Sequence, residues 1–236
     1  MKSLLLIAWS GLSINILSAN SLNNLLKKPP QWFQSTEAKD KLSNILSFQD
    51  ANGIWPKNIN TADYRYDGLR SKLQGTFDNS ASLNELRLLA KAYNATKNNA
   101  YKKAFNKGLE CILDCQYPNG GWPQSPNAKG YSEHITFNDG TMIGIMTFLR
   151  EVHKDNDYKF ATEKNRGICK ERFDLGIQCI IKCQIRVNGK LTDILGVRET
   201  ARCGQYIGTH IASPGFIFTS RTGSSSIFIL IFYIIN

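Results

Sequence analysis

Two stretches of the chain set an acid beside an amide: LQGTFDNSAS, residues 73–82, and YSEHITFNDGT, residues 131–141. Each has Thr-Phe followed by one Asp and one Asn, as Asp78-Asn79 in the first and Asn138-Asp139 in the second. Carboxylate and amide oxygens are what a hard cation collects around itself. The same residue types also cap helices, and both pairs stand just before helical runs, SASLNELRLLAKAY and GTMIGIMTFLREV. The two uses are compatible, because a helix N-terminus also favours anions. Spacing alone leaves both open. Lys57, in WPKN, and Lys129 and His134, near the second pair, add positive or titratable groups to the same segments.

The elements that position these residues repeat. SNILSFQDANGIWPKNI, ECILDCQYPNGGWPQSP and a weaker copy, QCIIKCQIRVNGKLTDI, align on Gln49, Gln116 and Gln184, which are 67 and 68 residues apart. A fixed internal period signals stacked copies of one supersecondary unit. Within the units apolar residues recur at helical spacing, as in Leu86, Leu89, Ala90 and Tyr93, or Ile143, Met146, Thr147 and Arg150. Each run closes on an Asn-Gly or Gly-Gly turn, where positive φ is tolerated. The pattern predicts a mainly α fold of paired antiparallel helices wrapped into an α/α toroid. Gln49-x-x-x-Gly53-x-Trp55 and Gln116-x-x-x-Gly120-x-Trp122 are expected to be structural, the amide bonding a neighbouring helix end and the indole packing beside it.

The net charge is +10 and 42% of the residues are hydrophobic. A basic body with a real core suggests a polyanionic partner: nucleic acid, anionic membrane or acidic polysaccharide. The basic residues are dispersed, with no Arg-rich run and no nucleic-acid fingerprint, which argues against nucleic acid. Residues 1–19, with Lys2 and an apolar stretch from Leu4 to Leu17, have the outline of a signal peptide, so secretion is expected. Six cysteines include Cys111/Cys115 and Cys179/Cys183, each pair on one helical face. Small core residues and a structural disulfide both remain possible readings of them. Metal-ligand spacing for zinc is absent.

Taken together and in order, NGIWPKNI, TFDNSAS, QYPNGGWPQ, HITFNDGTM and CIIKCQIRVNGKLT resemble the family 10 pectate lyases. The likeness covers residues 29–192, and five motifs in sequence make it specific where any one would be weak. It implies a lyase that cuts α-1,4-polygalacturonate by β-elimination with the help of Ca2+ bound to the sugar carboxylate. It also implies that Asp78 and Asp139 serve the metal, and that Lys57, Asn79, His134 and Asn138 meet the substrate. The implied partner is polygalacturonate, with no nucleic acid and no membrane, and a monomer is expected. Two rival readings are a non-catalytic acidic-polysaccharide binder and, ranked last for want of an acidic DxDD cluster, another toroid enzyme such as a terpene cyclase.

After Thr192 the resemblance stops. Residues 193–236 lose helical periodicity and end on the apolar run Ile227–Ile235. As a helix that run rises about 14 Å, too short to span a bilayer. Back-translation of TARCGQYIGTHIASPG with a one-nucleotide shift can read QHDAANTLEPTLQARA, which restores the family's next motif. The tail is therefore expected to be aberrant and the toroid incomplete at its C-terminus. The family's catalytic arginine is absent from this reading frame, so no catalytic residue is assigned, and Arg198, Arg202 and Arg221 receive no role. The chain as written is expected to be unstable or inactive.

Overall fold

A computed structural model describes residues 22–135, 137, 140–187 and 190–195. The signal-like segment 1–19, the tail from residue 196, Cys203, Asn138 and Asp139 lie outside the described residues. Among the described residues, the helix pairs are built from α1 Thr36–Ser47, α2 Leu83–Thr96, α3 Asn99–Asp114, α4 Thr141–Lys154 and α5 Glu163–Cys183. A hairpin of β1 Gln184–Val187 and β2 Lys190–Leu195 follows. Helix α2 packs on α3, α4 packs on α5, and α2 touches α4. These are the successive helix pairs of an α/α toroid, as the repeats predict.

Local chemistry sets the helix ends. The Ser35 side chain accepts from the Ala38 N–H (3.1 Å) to open α1, and Asn98 accepts from the Ala100 N–H (3.0 Å) to open α3. Between α2 and α3 the chain reverses at Lys97, left-handed at φ 56°. Helix α3 is amphipathic, burying Tyr101, Ala104, Phe105, Leu109 and Ile112 at helical spacing. Helix α2 is buried on most of its surface, through Leu83, Leu86, Leu88, Leu89, Ala90 and Ala92, as suits an inner helix.

On α4 the buried face is Met142, Ile145, Met146, Phe148, Leu149 and Val152. Of the stripe expected from sequence only Met146 belongs to it, and Ile143, Thr147 and Arg150 are half-buried beside it. An inner helix is apolar on so much of its circumference that several stripes fit the same period.

The first two copies of the repeat are structurally faithful. Gln49 Nε2 donates to Gly53 O and to Ala104 O on α3, both at 2.8 Å. Gln116 Nε2 donates to Gly120 O (2.9 Å) and to Arg172 O on α5 (2.8 Å). Trp55 Nε1 donates to Ile45 O (2.6 Å) and Trp122 Nε1 to Ile112 O (2.9 Å), and both indoles are fully buried. Each amide thus ties its own turn to the next outer helix, and each indole ties the turn to the helix it follows. The third copy departs: Gln184 opens an antiparallel hairpin with Gln184 opposite Leu195 and Val187 opposite Lys190. The cysteines among the described residues are free thiols, Cys169, Cys179 and Cys183 buried, with Cys111 and Cys115 Sγ atoms 4.0 Å apart. No helix among the described residues is long and apolar enough to cross a membrane.

Candidate active site

The long connections 48–82 and 115–140 each lead from an outer helix to an inner one, and they carry every candidate metal- or substrate-binding residue named from sequence. They are stitched together at Gln124. Its carbonyl accepts from the Phe77 N–H (2.9 Å) and from Thr76 Oγ1 (2.8 Å), while its N–H donates to Ser132 O (3.0 Å). The first connection is braced by Asp50, whose carboxylate accepts from the N–H groups of Asn52 (2.8 Å), Ile54 (3.0 Å) and Gly75 (3.0 Å). Three backbone donors on one carboxylate make Asp50 a structural acid.

Asp78 lies at the centre. It is 1% exposed, and its Oδ2 accepts from the Lys57 ammonium and from Gln124 Nε2, the latter at 2.8 Å. Its Oδ1 is buried and accepts no hydrogen bond. Asp78 does not cap α2, as the sequence allowed. It opens a 3-10 turn, Asp78–Ser80, and α2 begins after Ser82 with no side-chain cap.

The backbone there is strained. Asn79, Ser80 and Ser82 stand at φ 54°, 62° and 69°, a region costly to residues with a Cβ. Ser82 is held there by its buried hydroxyl, which donates to Thr76 O (2.8 Å) and accepts from the Trp55 N–H (2.9 Å). Strain of this kind persists where the surroundings over-determine it, and such places cluster at functional sites.

Lys57 and Asp78, both chosen from sequence, are therefore brought into direct contact. Asn79 follows on the same turn, exposed to solvent. His134 is half-buried in the second connection and Lys129 is exposed. Lys129 lines a cleft of about 420 Å³ with Asp50, Asn52, Gln74, Asn127 and Ser132. The cleft also touches Gly75 and Ser125, the chain neighbours of Thr76 and Gln124. Asn138 and Asp139 fall outside the described residues, so the structure speaks to one Asx pair of the two. Among the described residues no group of three or more His, Cys, Asp or Glu side chains converges as a metal cage.

Gln124 was missed from sequence, although a signal existed. It occupies the place in WPQ that Lys57 occupies in WPK, one repeat earlier. Glu85 was missed too. It is buried in the first turn of α2, where Thr61 Oγ1 donates to its Oε1 (3.0 Å) and its Oε2 has no hydrogen-bond partner. Burial pushes its carboxyl up to about 7, offset in part by its own N–H, the Thr61 hydroxyl and the Ser82 N–H.

The family model for pectic acid lyase matches residues 49–232, a span that runs past Thr192. Among solved structures, the family 10 polysaccharide lyase from Cellvibrio cellulosa is 31% identical with a TM-score of 0.61. An aspartate-to-alanine variant of a family 10 polysaccharide lyase from the same organism, in complex with trigalacturonic acid, is 30% identical with a TM-score of 0.62. Each alignment covers 78% of this chain and 55% of the other, so the chain spans about half the length of these relatives. A search of curated proteins finds no match. With five motifs in order, the repeat geometry and these likenesses in agreement, the chain belongs to the pectic acid lyase family, the family 10 polysaccharide lyases.

Proposed function

We propose that this chain carries the polygalacturonate site of a calcium-assisted pectate lyase, without the family's catalytic arginine segment. The observation that carries this reading is Asp78, a buried carboxylate with one oxygen tied by Lys57 and Gln124 and the other without a partner. A buried carboxylate oxygen left unpaired is costly unless a cation completes it. The donor is a hard oxygen, which suits Ca2+. Asp78 would hold the ion, with Asp139 as the second acid that the resemblance implies, while Asn79 and Asn138 would meet the sugar. Bound there, calcium neutralises the uronate carboxylate and so favours loss of the adjacent C5 proton.

The chain's own residues supply binding and orientation. Lys129 offers positive charge to uronate carboxylates in the cleft, Lys57 offers it beside Asp78, and Gln124 fixes the orientation of Asp78. In β-elimination the C5 proton leaves, a C4–C5 double bond forms and the C4–O bond breaks. No described residue is assigned the role of the base that removes the proton.

The test is an assay on polygalacturonate with calcium and with chelator, following ultraviolet absorbance of the unsaturated product. Chelator-sensitive release that Asp78→Asn abolishes would support this reading and overturn the expectation that the chain as written is inactive. A folded chain that binds polygalacturonate but releases no product would replace this reading with the glycan-binding one.

A further inference from the structure

We propose that Lys57 is a built-in stand-in for the cation at Asp78, so that cation binding and release of Lys57 to an anionic sugar form a single exchange. This rests on the calcium reading above and adds a coupling to it.

The carboxylate of Asp78 is 1% exposed, and a buried charge of this kind requires compensation. Lys57 supplies it through its ammonium on Oδ2, from a side chain that is 41% exposed. The lysine can therefore swing out without opening the core. Gln124, its counterpart in the second repeat, donates to the same oxygen but carries no charge. Asp78 thus has one donor that a dication repels and one that it tolerates. A dication at Oδ1 would share a single carboxylate with the ammonium, in surroundings where charges are poorly screened. Lys57 then leaves, and its ammonium, without a carboxylate, is matched by that of a uronate. By linkage, an anionic sugar that captures Lys57 must tighten calcium binding by the same factor as calcium tightens sugar binding.

Lys57→Gln copies the second repeat into the first, keeping a donor and removing the charge. Calcium is titrated calorimetrically into the full chain, into Lys57→Gln and into Lys57→Arg, with and without trigalacturonate. Without sugar, Lys57→Gln is expected to bind calcium at least tenfold more tightly than wild type, and Lys57→Arg no more tightly than wild type. Trigalacturonate is expected to tighten calcium binding to wild type by a larger factor than to Lys57→Gln, in which only the direct contact between the ion and the uronate couples the two. Equal or weaker calcium binding by a folded Lys57→Gln overturns the exchange while leaving the calcium reading intact. Failure of every form to bind calcium overturns both. Should Lys57→Gln not fold, wild type still decides, because calcium affinity unmoved by trigalacturonate overturns the exchange.

Discussion

Gln124 Nε2 lies 2.8 Å from Asp78 Oδ2, joining the second long connection to the acid of the first. The bond is charge-assisted and largely shielded from water, a class that contributes about 1.5–3 kcal/mol. Gln124→Ala is expected to destabilise the chain by about 2 kcal/mol in urea denaturation. Gln124→Glu should do worse, setting a second carboxylate against Asp78. The Phe77 and Ser132 bonds to the Gln124 backbone survive either change. Equal stability of Gln124→Ala and wild type would show that the side chain does not hold Asp78.

Gly120 tests the repeat. It stands at φ 92°, and a Cβ there would lie 2.2 Å from Leu175 O on α5. The obstacle is backbone, so it cannot turn aside. Gly130 is the control, with φ 62° and nothing within 4 Å of its Cβ position. Gly130→Ala should cost about 1 kcal/mol, the backbone penalty alone. Gly120→Ala should cost about 3 kcal/mol or more, because overpacking adds to that penalty. Similar melting temperatures for the two variants would contradict the tight seating of the second turn on α5.

The period of the repeat was legible because Gln, Gly and Trp recur for reasons of packing that any copy must satisfy. Gln49 and Gln116 make the same pair of bonds one period apart, and Trp55 and Trp122 the same one. Asp78 and Lys57 were legible through the resemblance, not through spacing. Spacing allowed Asp78 as a cap, and only the tertiary bonds from Lys57 and Gln124 show what its carboxylate does instead. The face of α4 was misread because a buried inner helix blurs its own stripe. The hairpin after Gln184 was not foreseen, since the third copy was read as a helical repeat through likeness to the first two. Glu85 was invisible as a buried acid because Ser82-Leu83-Asn84-Glu85 has the form of a surface capping box. Its burial follows from the loop carrying Thr61 folding over it.

Glu85 gives the fold a pH dependence of determinate sign. Its carboxyl is raised by burial to about 7, against about 4.3 in an unfolded chain. Between those values the folded state holds the proton that the unfolded state has lost. The contribution of Glu85 is therefore fully favourable below about pH 4, declines as pH rises through about 7, and is flat above it. The whole change is about 4 kcal/mol, since each pKa unit is worth about 1.4 kcal/mol. Glu85→Gln mimics the protonated form and cannot ionise. Its stability relative to wild type should accordingly rise by about 3 kcal/mol between pH 4 and pH 8 in denaturant titrations. Parallel stability profiles for the two proteins across that window would mean that Glu85 takes up its proton alike in the folded and unfolded states, and that some unrecognised positive group offsets its burial beneath the strained turn at Ser82.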